Sequence, residues 1–317
     1  MKILITGGLG YLGGRIANYL TQNNYKVKVA SRNSFKPNSF LENISMYQID
    51  WNNESSINKA CEDCNVIIHT AGMNSHSCYA NPDEALKFNG FTTAKLLNNA
   101  ISCGVSNFIY FSTAHVYADK LVGFYDETSP TTNQHPYATS HKFGEEALVE
   151  ASKTGKINGI VLRLSNAFGS PIDPNSNCWP LLVNDLCKQA VTSNKIKLLT
   201  SGTQYRNFLP IIDLCKIVTF FLTYKNQDYN LYDPVYNVGS KFSMSVYDMA
   251  LTISQYYEEI YGHKLIIQKK PISLSEQNSN DKELIYSIDK LTKLLGTSFY
   301  SFKEEIKNLF NFCEKYY

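Results

Sequence analysis

Lys2-Ile3-Leu4-Ile5-Thr6-Gly7-Gly8-Leu9-Gly10-Tyr11-Leu12-Gly13 decides the fold. Lys2 to Ile5 reads as a short buried strand, and Tyr11 to Thr21 carries helical spacing, with Leu12, Ile16 and Leu20 on one face. Between them, Gly7, Gly10 and Gly13 are spaced G-x-x-G-x-x-G. Glycines so placed allow a tight turn, close approach of a pyrophosphate and tight helix packing. The free N–H groups at the start of the helix suit phosphates. A glycine-rich turn that only packs is the plainer alternative, but the strand before and the helix after favour dinucleotide binding. Gly7, Gly10, Tyr11, Leu12 and Gly13 are therefore the first cofactor-binding candidates.

The alternation continues outward from that stretch. Val27 to Ala30, Met46 to Ile49, Val66 to His69, Asn107 to Phe111 and Gly159 to Leu162 are short apolar runs. Helical spacing fills Asp83 to Ala100 and Tyr137 to Ser152. Apolar strands alternating with helices predict an α/β chain with a doubly wound, Rossmann-type parallel sheet. After Leu164 the regularity weakens, and Pro171, Pro174 and Pro180 mark loops. Helices are expected over Trp179 to Val191, from Asp213, over Val246 to Tyr257 and over Phe302 to Glu314. Strands are expected at Phe208 to Ile212 and Leu265 to Gln268, and Ser273 to Asn280 reads as a polar loop. The sheet domain is assigned to residues 1–170 and 205–240, and a smaller α+β substrate domain to 171–204 and 241–317.

Composition narrows the function. A chain of 317 residues suits a cofactor domain with a smaller partner. A net charge of +2 without a charged block gives no electrostatic case for nucleic acid or an anionic membrane. The longest apolar run, Ile217 to Leu222, is too short to span a bilayer, and the N-terminal run is too short for a signal peptide. Among eight cysteines only Cys61 and Cys64 form C-x-x-C, with no second pair or nearby histidine to complete a zinc site. Reduced core thiols, no metal and a cytoplasmic location are expected.

The second strand ends in Ala30-Ser31-Arg32. Readers of NAD usually carry an acidic residue there for the ribose hydroxyls. None is present, and Arg32 suits a 2′-phosphate. Ser31 and Arg32 thus favour NADP(H), with NAD(H) left open; the plainer role for Arg32 is stacking on adenine. Asp50, followed by Trp51, is placed to accept from the adenine amino group.

Further motifs occur in order. They are His69-Thr70-Ala71-Gly72, Asn89 with Thr93, Ser112-Thr113-Ala114-His115-Val116-Tyr117 and Pro136-Tyr137-Ala138-Thr139-Ser140. Leu162-Arg163-Leu164-Ser165-Asn166-Ala167-Phe168-Gly169, Arg206-Asn207-Phe208, Asp213 and Tyr236-Asn237-Val238-Gly239 follow. With the glycine loop, this set resembles the extended short-chain dehydrogenases/reductases, the group of nucleotide-sugar epimerases, dehydratases and ketoreductases. The likeness is good over residues 1–240 and weak beyond.

The resemblance implies a nucleotide-activated sugar as substrate and a homodimer formed through the helices Asp83 to Ala100 and Tyr137 to Ser152. It implies cofactor contacts for Thr70, Ala71, Gly72, Asn89 and Ser112. It implies that Tyr137 moves the proton while Thr113 bonds the reacting oxygen. Asn166 and Arg206 match positions that contact the substrate diphosphate, which the forked donors of arginine suit. Met73 and His115 are candidates for the sugar pocket; a structural role for His115 is equally open.

Three departures from the family pattern matter. The family has Tyr-x-x-x-Lys, whereas His141 stands four residues after Tyr137 and the lysine comes one later, at Lys142. At about 100° per residue, Lys142 faces away from Tyr137. His141 is expected to take over binding of the nicotinamide ribose, but a neutral imidazole does little to lower a tyrosine pKa. A reductase tolerates this better than an oxidising enzyme, because its Tyr137 only donates a proton. Second, Ala114 and His115 stand where 4,6-dehydratases carry Asp-Glu, which argues against dehydration. Between Ile272 and Asp289 the family often has a diphosphate-gripping Arg, and here only Lys282 is basic.

The leading expectation is a ketoreductase acting at C4 of a keto-sugar nucleotide. An epimerase with tightly held NAD is the close alternative. A non-catalytic dinucleotide sensor is the alternative of another class, and a steroid- or flavonoid-type ketone is disfavoured by Asn166 and Arg206.

Overall fold

The computed structural model describes residues 1–33, 44–224, 233–271 and 283–317. The run Ser273 to Asn280 and Lys282 lie outside the described residues. In chain order, the first elements are β1 (Lys2–Thr6), α1 (Tyr11–Gln22), β2 (Lys26–Ser31), β3 (Ser45–Gln48), α2 (Glu54–Cys61), β4 (Val66–His69), α3 (Ser75–Ala80) and α4 (Pro82–Ala85). A π-helical turn (Leu86–Phe91) leads into α5 (Thr92–Ser102), β5 (Asn107–Thr113), β6 (Gly123–Tyr125), α6 (Pro136–Lys153) and β7 (Asn158–Leu164). Then come β8 (Asn166–Phe168), α7 (Leu182–Ser193), β9 (Lys195–Lys197), β10 (Tyr205–Pro210), α8 (Ile211–Thr223) and β11 (Val235–Val238). The last are β12 (Ser243–Ser245), α9 (Val246–Tyr261), β13 (Ile266–Gln268), β14 (Leu284–Tyr286), α10 (Asp289–Leu295) and α11 (Phe302–Tyr316).

Seven strands form a parallel sheet in the order β11-β7-β5-β4-β1-β2-β3. This is the doubly wound order, with a switch point between β1 and β4 where open α/β sheets bind ligands. β1, β4 and β5 are almost wholly buried, as strands covered on both faces must be.

The chain divides into two compact units, residues 1–119, 129–164 and 215–237 against 120–128, 165–214 and 238–317. Residues 120–128, 165–170, 205–214 and 238–240 thus fall with the second unit, not with the sheet domain to which the sequence assigned them. The reason is pairing: β10 bonds β8 and β12, and β6 bonds β14. The second unit has its own core of Phe168, Phe208, Met249, Phe302 and Phe310. Within it, the buried Glu305 carboxylate accepts from Ser170 N at 3.2 Å and Ile212 N at 2.9 Å.

Several elements differ from the sequence expectation. The helix expected over Asp83 to Ala100 is interrupted by the π turn. The strand expected at Phe208 to Ile212 ends at Pro210, and Ile211 opens α8. Ile211 and Ile212 are apolar in either role, so their hydrophobicity does not separate them. Helix α2 and the pairing of β11 with the large sheet have no counterpart in the expected elements.

Candidate active site

The glycine loop joins β1 to α1. Gly7 has φ +72°, and a Cβ there would lie 2.7 Å from Ala71 N. At Gly13 a Cβ would come within 2.5 Å of Gly7 O and Thr70 Oγ1. The backbone is therefore drawn against the segment after β4, as a cradle for a close-lying phosphate group requires. Gly10 precedes α1, and no side chain caps the helix. Thr70 is tied down, its hydroxyl donating to Thr6 O at 2.8 Å. Gly72 lies beside Asn89 and His141.

A pocket of about 180 Å³ opens past the ends of β2 and β3, lined in part by Arg32, Asp50, Trp51, Lys87 and Phe88. The Arg32 guanidinium sits 4.6 Å over the Phe88 ring, yet the side chain is exposed. Trp51 packs edge-on against Phe88. Asp50 Oδ1 accepts from Asn52 N at 2.9 Å. The structure thus brings Arg32, Asp50 and Trp51 together, with Phe88 as an apolar wall.

Thr113 ends β5, and Tyr137 stands in the first turn of α6 after Pro136, whose missing N–H costs nothing there. Thr113 Oγ1 accepts from His115 N at 3.1 Å, and the Thr113 side chain is near enough to Tyr137 to favour its phenolate. Burial pushes the Tyr137 phenol up to about 12, against the opposing pull of Thr113. The His141 ring meets the Tyr137 ring edge-on at 4.6 Å. Burial lowers His141 to about 4, although Glu145 and the Phe111 carbonyl favour its charged form. At neutral pH the His141 side chain is therefore uncharged. The Lys142 ammonium faces Glu145 at 3.6 Å and Glu146 at 4.0 Å.

Ser112 Oγ is buried without a hydrogen-bond partner among the described residues. Such a group costs about 1–3 kcal/mol unless something satisfies it. This orphan, the glycine cradle and the uncapped helix together fit a dinucleotide cofactor. Met73 N donates to Asn89 Oδ1 at 2.7 Å. In the second unit, Asn166 donates to Asn207 O at 2.9 Å, and Arg206 on β10 is exposed and makes no ion pair among the described residues.

The site holds groups that the motif reading did not assign. Asn89 Nδ2 reaches Ser140 Oγ at 3.2 Å and Cys78 Sγ at 3.5 Å. The π turn, a feature frequent at functional sites, carries Asn89 into this position. Below it, His69 bonds Thr6 Oγ1 at 2.6 Å and Thr93 Oγ1 at 2.9 Å. Tyr110 joins His141 at 3.0 Å. In sequence Tyr110 is one aromatic in an apolar strand, and nothing marks it out.

Fold and cradle define a Rossmann-type protein built to hold a dinucleotide next to a Thr-Tyr pair. The sequence model of the NAD dependent epimerase/dehydratase family matches residues 3–239, and the chain belongs to that family. A dTDP-D-glucose 4,6-dehydratase of Mus musculus is 27% identical over 272 residues, 81% of this chain and 73% of that protein. A putative UDP-glucose 4-epimerase of Methanocaldococcus jannaschii is 23% identical over 320 residues, 98% of each. The fold is shared with UDP-glucuronic acid 4-epimerase from Bacillus cereus, solved in complex with UDP-glucuronic acid and NAD. That match has a TM-score of 0.76 and 21% identity, with 100% of both chains covered. The family is described as NAD-dependent, and nothing in these likenesses supports the NADP(H) preference read from Ser31 and Arg32.

Proposed function

We propose that the protein reduces a keto-sugar nucleotide at C4, with Tyr137 as proton donor. One observation carries this reading: the ring set against Tyr137, at 4.6 Å, is the buried and neutral His141 and not a cation, and desolvation raises the phenol to about 12, so the protonated form is favoured. Hydride addition to a carbonyl creates an oxyanion that needs a proton, and a protonated tyrosine supplies it. Oxidation needs a tyrosinate, which this environment disfavours. A bound reduced nicotinamide supplies the hydride. Thr113 holds the reacting oxygen, with its Oγ1 already oriented by His115 N. Asn166 and Arg206 grip the diphosphate, and Met73 and His115 line the sugar pocket.

NADP(H) is the proposed form, since Ser31 offers no carboxylate to ribose and the exposed Arg32 is free to meet a 2′-phosphate. The protein is proposed to work in the cytoplasm, where its eight free thiols stay reduced. No described helix is long and apolar enough to cross a membrane. A homodimer through α5 and α6 would cover Phe91, which is 56% exposed and packs on Phe143.

The second reading is a nucleotide-sugar epimerase with retained NAD, favoured by the relative that aligns over 98% of both chains. The test is to denature the purified protein, identify any released dinucleotide by mass spectrometry, and titrate the stripped protein with NADPH and NADH. An empty site that prefers NADPH, together with turnover of a 4-keto-sugar nucleotide, supports the reductase. Retained NAD supports the epimerase. A site that binds neither points to the non-catalytic alternative. Arg32→Ala should weaken NADPH about tenfold and leave NADH unchanged, by the strength of one charge-assisted contact.

A further inference from the structure

We infer that Tyr110 is a positioning residue for this site: its hydroxyl takes Nδ1 of His141 and thereby fixes which imidazole nitrogen faces the cofactor. The inference rests on reading Tyr137 and His141 as the proton-handling and ribose-holding pair.

Tyr110 is 2% exposed and reaches from β5 to the underside of α6. Its oxygen lies 3.0 Å from His141 Nδ1 and 3.4 Å from the His141 carbonyl. Gly144, on the turn of α6 after His141, makes the room: a Cβ there would stand 2.7 Å from the Tyr110 oxygen. Thr93, which holds Tyr110's acidity up from the neighbouring helix, bonds His69, and His69 bonds Thr6.

A lysine ammonium presents three equivalent donors, so rotation about its stem changes nothing. A neutral imidazole has one donor and one acceptor nitrogen, and a ring flip moves both, putting Cδ2 and Cε1 where Nδ1 and Nε2 stood. A histidine in the lysine position therefore needs a second group to hold its orientation. With Nδ1 committed to Tyr110, Nε2 is the nitrogen left for a ribose hydroxyl. The groups facing the ring are Tyr137 and Glu145 from α6, Tyr110 and the Phe111 carbonyl from β5, and His69 from β4. Glu145 has its charge met by Arg163 at 2.7 Å, so Tyr110 is the neutral hydroxyl that sets the ring.

The test uses the full chain with ¹⁵N-labelled histidine and no substrate. Long-range ¹H–¹⁵N spectra report the tautomer of each of the six histidines, and His141→Gln identifies the His141 signals. The wild type should show His141 as one neutral tautomer down to about pH 4. Tyr110→Phe should mix the tautomers and weaken dinucleotide binding about tenfold, the size of one hydrogen bond. Gly144→Ala pushes on the Tyr110 hydroxyl without altering His141, and should mix the tautomers too. Unchanged His141 tautomers in both variants would overturn the inference. Because the spectra need no turnover, they stand apart from the keto-sugar assay: a negative assay with the expected spectra defeats the reductase reading alone.

Discussion

Along one side of α6, two buried polar side chains sit one turn apart. Glu145 is charged and meets Arg163 in a two-pronged pair, Nε to Oε1 at 2.9 Å and Nη2 to Oε2 at 2.7 Å. Arg163 also donates to Tyr117, whose hydroxyl donates to Asn237 at 2.7 Å. His141 has no charged partner of its own and is buried neutral, bonded to a phenol. The difference teaches how the helix tolerates polarity. Charge survives burial where every oxygen and N–H is matched, and otherwise the group gives up its charge. The turn at Glu145 is thus electrostatic scaffolding, whereas the turn at His141 is polar and neutral.

This contrast can be broken at either turn. The largest effect is expected from Tyr137→Phe, which should cut turnover by about 10²–10⁴-fold with the thermal midpoint unchanged. Loss of folding instead would assign Tyr137 to the scaffold. Next, Arg163→Leu should destabilise the protein by about 3–5 kcal/mol in denaturant titration, because it strands a buried carboxylate. Adding Glu145→Leu should recover much of that loss; no recovery would mean that packing, not charge, was lost.

Acid should act on the neutral turn. His141 and His69 fall from 6.5 to about 4 and about 3 on folding, in both cases chiefly through burial. The unfolded chain then binds more protons, so their stability contribution is complete above pH 6.5. It is lost as pH falls through that window, at about 1.4 kcal/mol per pH unit for each histidine. Denaturant midpoints from pH 7 to pH 4 measure the slope, and His141→Gln should reduce it. A slope insensitive to His141→Gln would place the acid response elsewhere. The smallest expected effect is that of His141→Lys. An ammonium beside Tyr137 favours the phenolate and lowers its pKa, by about one unit for each 1.4 kcal/mol of interaction. A proton donor fails as pH rises through its pKa. The variant should therefore lose reductive rate at alkaline pH where the wild type stays flat, and coincident profiles would deny the link between positions 137 and 141.

Much of this architecture is legible in the residues. Gly7 and Gly13 are readable because their task, a left-handed turn and a close backbone approach, excludes side chains. Tyr137 and Thr113 are singled out by motifs in a known order, and their roles remain proposals. The pairing of Glu145 with Arg163 is not, since the two lie on a helix and a strand 18 residues apart and nothing local couples them. Tyr110 is hidden for the opposite reason: one hydroxyl in an apolar strand leaves its periodicity unchanged. The exchange of residues 205–214 between units reflects strand pairing, which hydrophobic pattern does not specify.

The π turn at Leu86–Phe91 also works as a phase shift. Each added residue advances a helix by about 100°. The extra residue in this turn lets one continuous helix address two sets of neighbours, with α4 lying against α6 and α5 reaching α2. Deleting one residue between 86 and 91 would let the segment relax to an ordinary α-helix, yet it would rotate the two halves out of step. Asn89 would swing away from Met73, Ser140 and Cys78. The loop after β4 would lose its anchor while the helix itself became more regular. In this helix, local regularity and an assembled site are alternatives.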